Sequence, residues 1–401
     1  MSQVDTFPVD VVVVGGCGHV GLPLAIAFAD RGLRTVAHDI NATAVATVNR
    51  AQLPFDEPDA GPVLQRVIAD GRLTASVDPA TIGQARHVVV VIGTPVDEHL
   101  NPDARAVPDA VATLHPYLQP GQLLILRSTV YPGVTALVER GLAEAGIAVD
   151  VAFCPERIAE GKAMTELFDL PQIVSARTAD GVDRADKLFR HLTERTVHVS
   201  PEEAELAKLF TNTWRYIKFA AANQLYMMAN DFGLDFERIR HAITYEYPRA
   251  QDMPGPGFAA GPCLFKDTMQ LAAFNDNKFV LGHSAMLVNE GLPLYVVSRM
   301  AERFDLSSST VGILGMAFKG ESDDTRSSLS YKLRRILRFR AREVLTADPY
   351  VTTDPRLLSE DEVVRRSDVL VIGAPHRRYR DLATDKPVID IWNITGNGVR
   401  I

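Results

Sequence analysis

The chain has 401 residues, more than one hydrophobic core usually organises, so two or three domains are expected. Its 46% hydrophobic and 23% charged residues are those of an ordinary globular protein, and a net charge of −8 argues against a basic nucleic-acid footprint. No apolar run approaches the roughly 20 residues of a membrane span, residues 1–8 lack the basic start of a secretory leader, and the three widely spaced cysteines exclude a disulfide framework or a CxxC metal site and fit a reducing cytoplasm.

In chain order, residues 9–14, 35–38, 87–92, 123–128, 149–153 and 172–174 read as buried parallel strands, with 196–199 as one more candidate. Helical patterns at 22–30, 60–70 and 134–145 alternate with them, the βαβ rhythm of a doubly wound sheet. At Pro201 the rhythm breaks. Residues 202–232 read as one long helix ending at Gly233, and further helical stretches follow at 236–244 and 282–304. Between these two lies a Pro/Gly-rich segment, 248–262, that cannot be helical throughout. Strand patterns return at 310–315, 343–346, 369–372 and 388–391. The predicted fold is α/β: two Rossmann-like domains with parallel sheets, 1–200 and 305–401, joined by a central helical domain, 201–304, containing the long helix.

The first strand runs into Gly16-Cys17-Gly18-His19-Val20-Gly21, and Leu22-Pro23-Leu24 then opens a helix. Gly16 permits the tight turn, Gly18 lets backbone approach a pyrophosphate, and Gly21 allows close helix–strand packing. The amides at the helix start face the phosphates. Asp39 stands at the end of the second strand, where a carboxylate hydrogen-bonds the ribose hydroxyls and repels a 2′-phosphate, so NAD is expected rather than NADP. Cys17 reads as a small filler.

Polar or reactive residues stand out at five further places. Thr94-Pro95, Ser128-Thr129 and Cys154-Pro155-Glu156-Arg157 follow strands at the edge where open α/β sheets bind ligands, although each word is also an ordinary turn. On the long helix Glu205, Lys208 and Asn212 share one face. They read either as a solvated stripe with an i,i+3 ion pair or, given the apolar flanks, as a face on which Lys208 is partly buried. Ala260-Gly261-Pro262-Cys263-Leu264-Phe265-Lys266-Asp267 presents a cysteine after glycine and proline. Lys266 and a following helix start favour its thiolate, and the alternative is a buried filler.

GCGHVG, GTP, STVYPG, CPERIAEGKA, AELAKLFTN, GPCLFKD, GMAFKGESDDTR and ADPY occur in this order, and by them the chain resembles the UDP-glucose/GDP-mannose dehydrogenase family over nearly all its length. The resemblance implies a four-electron oxidation of a UDP-sugar C6 alcohol to the acid, reducing two NAD in succession. It makes Cys263 the nucleophile that traps the aldehyde, Lys208 the oxyanion cation, Asn212 a ligand of the substrate or that oxygen, and Thr129 and Asp267 the ligands of a water whose attack Glu156 assists. It places His19, Val20, Thr94, Lys266 and Arg326 with the cofactor. Arg157, Phe258, Gly261, Phe318 and Lys319 fall with the substrate, and Arg249 reaches a neighbouring subunit's site, which implies a homodimer or larger homo-oligomer.

Three words depart from the family's commonest form. His19 replaces a tyrosine in the glycine loop, which should be harmless because backbone does the binding. CPER and GPC resemble the family's UDP-N-acetylmannosamine branch more than its UDP-glucose branch. UDP-glucose and UDP-GlcNAc remain alternative substrates. A two-electron dehydrogenase of the 6-phosphogluconate type and a silent sugar-nucleotide sensor remain the rival functions. No metal, nucleic acid or membrane is called for.

Overall fold

Five valines and one aspartate make up Val9–Val14, and β-branched side chains of this kind favour extended backbone. They form β1, the centre of the first sheet. The computed structural model describes residues 7–94, 103–259, 261 and 263–401, so that Pro95, Ala260 and Pro262 lie outside the described residues. The chain divides into two units, Met1–Phe210 and Thr211–Ile401.

In the first unit β1 is joined by β2 (Thr35–His38), β3 (Leu73–Ser76), β4 (Ala85–Val90), β5 (Leu123–Leu126), β6 (Asp150–Phe153), β7 (Gln172–Ala176) and β8 (Thr196–His198). Among the described residues they form one eight-stranded sheet in the order β3-β2-β1-β4-β5-β6-β7-β8. The period-two alternation of a strand decides the two cores. Val11 and Val13 face a cluster that includes α1 (Gly21–Asp30), α3 (Ala60–Ala69), α6 (Ala163–Asp169) and α7 (Ala179–Phe189), after which α2 (Ala42–Asn49) lies against β3. Val12 and Val14 face the opposite cluster with α4 (Ala106–Leu114) and α5 (Val134–Glu144).

Two points differ from the sequence expectation. The strand at 172–174 is not parallel to its predecessor: β7 pairs antiparallel with β6, Ala152 opposite Ala176. The connection from β6 runs through a loop and the seven-residue α6 and returns the chain in the opposite direction. β3 was not foreseen, because Leu-Thr-Ala-Ser alternates buried and exposed at the sheet edge instead of running apolar.

Helix α8 (Pro201–Asp231) has 31 residues and contains the point where the units divide. It stops where predicted. Gly233 takes φ +72°, and Leu234 N–H returns to the Ala229 carbonyl at 2.9 Å, the Schellman closure that a glycine permits. In the second unit α9 (Phe236–Thr244), α10 (Leu264–Phe274) and α11 (Val280–Arg303) follow. Then come β9 (Thr310–Leu314), α12 (Leu329–Leu337), β10 (Glu343–Ala347), α13 (Glu360–Arg366), β11 (Val369–Ile372) and β12 (Val388–Ile389), whose strands form a parallel sheet in the order β10-β9-β11-β12. Leu292, Val296 and Met300 of α11 share one core with Val311 and Ile313 of β9 and with Leu333 and Leu337 of α12.

Helix α5 begins at Gly133, φ +96°, which offers no side-chain cap. Glu205 of α8, 1% exposed, supplies it: its carboxylate accepts from Gly133 N at 2.6 Å and from Thr135 N and Oγ1 at 2.8 and 2.6 Å. This is a cap provided by another helix, an anion at a helix N-terminus. Glu205→Ala leaves buried amides without acceptors and should cost about 3 kcal/mol in urea unfolding; a loss well below about 1 kcal/mol would show that α5 does not depend on it.

Candidate active site

The glycine loop after β1 divides its glycines by role. A Cβ on Gly16 would stand 2.5 Å from Val13 O, and one on Gly21 would stand 2.1 Å from Gly15 O, so both are required by packing. A Cβ on Gly18 would meet only Gly15 O at 3.6 Å, an ordinary contact. The protein therefore does not fill the space over Gly18, where a pyrophosphate passes in this kind of loop. Val20 begins α1 without a side-chain cap. Leu22 N–H already donates to Gly18 O at 2.9 Å and Pro23 has no N–H, so an anion here would be met by loop amides ahead of Leu22. Asp39 is drawn onto the loop, accepting from Cys17 N and Asn41 N at 3.0 Å each. The residues fit a dinucleotide. Cys17 is buried and its thiol is pushed up to about 12 by burial and by Asp39, so it is a filler as foreseen.

Beyond the loop the strand ends separate into structural and available groups. Ser128 Oγ accepts from Ile92 N at 2.8 Å and donates to Ile92 O at 2.9 Å, stitching together the segments after β4 and β5. Thr94 and Thr129 are half-buried. Cys154 is buried, and burial pushes its thiol up to about 12. Burial works against the charge of Glu156 too, but the Arg127 guanidinium and the amides of Ile158 and Arg157 outweigh it and hold the carboxyl below its usual range. Arg127 pairs with Glu156, donates to Cys154 O and Gln172 Oε1 at 3.0 Å each, and lies 4.8 Å over the Phe189 ring. Arg157 reaches the Pro171 carbonyl. Arg127 belongs to no motif named above. Its signal was a lone arginine directly after the apolar strand Leu123–Leu126, which is tolerated only when paired.

On α8 the solvated-stripe reading fails: Glu205, Lys208 and Asn212 are 1%, 9% and 5% exposed. Glu205 is the cap described above. Asn212 donates to Asp267 Oδ2 at 2.6 Å, and Asp267, fully buried, has Lys266 Nζ 3.4 Å from its other oxygen. One turn earlier Cys263 is the N-cap residue of α10, and its carbonyl accepts from Asp267 N at 2.9 Å. Cys263 is exposed, the only one of the three cysteines that is. The second unit thus brings Asn212, Cys263, Lys266 and Asp267 to the start of one helix.

The same unit gathers most of the remaining candidates. Gly261 takes φ +100°, and a Cβ there would stand 2.7 Å from the Phe318 ring. Phe258 is buried edge-on against Trp392, centroids 6.1 Å apart. Lys319 Nζ lies 5.3 Å from the centre of the Phe318 ring. Arg326 holds both oxygens of Asp324 at 2.6–3.0 Å. Arg249 is exposed, donating to the Tyr247 hydroxyl at 2.9 Å, and is not brought to this group. His19 stacks on Phe55, centroids 4.0 Å apart, beside Glu160 at 3.7 Å. Among the described residues no helix is long and apolar enough to cross a membrane.

Comparison with known proteins identifies the family. The family model of the UDP-glucose/GDP-mannose dehydrogenases matches in three parts: its NAD binding domain at 10–193, its central domain at 202–290 and its UDP binding domain at 312–397. A UDP-N-acetyl-D-mannosamine dehydrogenase of Yersinia pestis is 30% identical, over 97% of this chain and 99% of that protein. The solved UDP-D-ManNAc dehydrogenase of Pyrococcus horikoshii has a TM-score of 0.89 at 27% identity, covering 96% of each chain. A UDP-glucose dehydrogenase of Pyrobaculum islandicum has a TM-score of 0.88 at 25% identity, covering 97% of this chain and 95% of that one. The chain belongs to the UDP-glucose/GDP-mannose dehydrogenase family and is an NAD-dependent nucleotide-sugar dehydrogenase.

Proposed function

We propose that the chain oxidises the C6 alcohol of UDP-N-acetylmannosamine to the carboxylate through a thioester on Cys263. The observation that carries this is the exposed Cys263 at the start of α10, one turn from a buried Asp267 that Asn212 holds in place. The names of the Yersinia pestis and Pyrococcus horikoshii relatives support the sugar.

NAD, when bound, accepts a hydride from C6 in each of two oxidations. The first makes an aldehyde. The Cys263 thiolate adds to that carbonyl carbon, the C–S bond forming as the C=O π pair moves onto oxygen, and the thiohemiacetal carbon keeps one hydrogen that can leave as the second hydride. Its loss leaves a thioester, and water then breaks the C–S bond, returning the thiol and releasing the acid. The balance is one alcohol, two NAD and one water giving one carboxylate, two NADH and three protons. Asp267 accepts a proton from the water and Asn212 fixes the carboxylate that does so. Lys208 and Thr129 keep the roles the resemblance gives them, oxyanion cation and water ligand. Glu156, held ionised by Arg127, suits orientation of its loop and of substrate better than proton transfer. The three-domain division at 1–200, 201–304 and 305–401 belongs to the same proposal, with the cofactor in the first and the nucleotide in the last.

We also infer a homodimer. Phe210, Trp214, Leu225, Met228 and Phe232 are exposed along one face of α8. Leu225, Met228 and Phe232 continue with Phe236, Ile239 and Ile243 into a wholly apolar groove of about 220 Å³. Apolar surface of this extent on a family member asks for a partner, and a second copy presents the same face.

Three outcomes follow. UDP-N-acetylmannosamine should saturate the enzyme and give two NADH per acid; saturation by UDP-glucose alone would move it to the other branch. Cys263→Ser should bind both ligands and lose kcat by about 1,000-fold or more, because a serine hydroxyl is almost wholly protonated at neutral pH; retained kcat at the same stoichiometry would remove the covalent step. Light scattering should find a dimer that Met228→Glu and Phe232→Glu together dissociate, whereas a monomeric unmodified chain would defeat the inference.

A further inference from the structure

Cys263 is preceded by glycines at 257 and 261, the residue type that restrains backbone least, and attack on a carbonyl carbon needs the sulfur placed within a fraction of an ångström. The structure shows what holds Gly257. Asn223, in the middle of α8 and fully buried, faces Gly257 with its carboxamide. Its Oδ1 accepts from Gly257 N at 2.9 Å, and its Nδ2 donates to Gly257 O at 3.0 Å. One side chain thus closes a ring with both backbone groups of one residue, as a neighbouring strand would. Nδ2 also donates to Asn289 Oδ1 at 2.9 Å, and Asn289 Nδ2 donates to Tyr216 O at 3.1 Å. The pair of asparagines is therefore satisfied and fixed in orientation.

Trp392 closes the other side. A Cβ on Gly257 would stand 2.2 Å from a Trp392 ring carbon, so the ring lies flush against that backbone. The backbone at Trp392 is itself held, its main-chain N–H donating to Asp390 Oδ1 at 3.0 Å, while Asp390 Oδ2 accepts from Thr395 N and Oγ1 at 2.9 Å each. Gly257 is thus gripped between hydrogen bonds on one face and an indole on the other, six residues before Cys263.

We propose that Asn223 and Trp392 are positioning residues for the nucleophile, acting through Gly257 on the placement of Cys263. This rests on the reading of Cys263 as the covalent catalyst. Neither side chain needs to touch substrate or cofactor. Asn223→Ser shortens the side chain so that it cannot meet both groups of Gly257, and Trp392→Leu empties the opposite face.

The test measures three things on each full-length variant: thermal unfolding, steady-state kinetics, and the rate at which iodoacetamide alkylates Cys263 without ligands, followed by peptide mass spectrometry. The expected result is cooperative unfolding, an unchanged KM for NAD, a kcat lower by about 100-fold, the order that a 1 Å misplacement produces, and a several-fold change in alkylation rate. If Asn223→Ser does not fold, Trp392→Leu carries the test alone. Folded variants with unmodified kcat and alkylation rate would overturn the proposal. So would a kcat loss that merely follows the fraction unfolded, with Cys263 alkylated at the unmodified rate. Cys263→Ser keeps the two readings apart: full turnover in that variant would remove the covalent role, while the alkylation rates would still report whether the clamp places the sulfur.

Discussion

Polar side chains buried on one helix must all be satisfied, and much of this molecule is arranged around that demand on α8. Glu205, Asn212, Asn223 and Asn230 follow one another at spacings of 7, 11 and 7 residues and are each 7% exposed or less. Steps of 7 and 11 return a helix to within about 20° of the same direction, so the four form one line. Each meets a different part of the chain. Glu205 takes the first amides of α5, Asn212 takes Asp267, and Asn223 takes Gly257. Asn230 donates to the Tyr295 hydroxyl and accepts from the N–H of Ile401, both at 2.9 Å. A buried amide or carboxylate left without its partner costs about 1–3 kcal/mol, so each of these four sites has one well-defined arrangement. The helix serves as a template whose polar line sets where loops begin.

Carboxylates do related work elsewhere. Glu57 accepts from Gly161 N and Ala163 N at 3.0 and 2.9 Å. Asp348 accepts from Met316 N, Ala317 N, Tyr350 N and Val351 N, with His376 against it. Glu156 and Asp39 do the same at the ends of β6 and β2. Irregular backbone carries amides that helices and sheets would otherwise satisfy, and a carboxylate with two oxygens gathers several at once. Asp267 is met by the side chains of Asn212 and Lys266.

Local pattern carried much of this. The glycine loop, Asp39, the long helix with its stop at Gly233 and the start of α10 after Cys263 each declare themselves within a few neighbouring residues. What stayed hidden depends on partners far along the chain. β7 lies antiparallel to β6, which its composition does not announce. Arg127 and Glu156 are 29 residues apart, Asn223 and Gly257 34, and Glu205 and Gly133 72. Asn223 lies in Ala-Ala-Ala-Asn-Gln, a stretch in which an asparagine reads as an outward-facing residue. The face shared by Glu205, Lys208 and Asn212 was legible, and its burial was suggested by apolar flanks, but the separate task of Glu205 was not.

The unequal burial of the three thiols has a consequence for how the protein ages. Oxidants attack thiolates, and Cys17 and Cys154 are buried and held protonated by their surroundings. Among the thiols peroxide therefore has one address, the exposed Cys263. A sulfenic acid there finds no second reactive thiol within the chain to resolve it, so its repair depends on a small thiol from solution, and without one it proceeds to the irreversible acids. Thiol oxidation should accordingly be a single-hit process at the Cys263 sulfur, with the fold left intact around it.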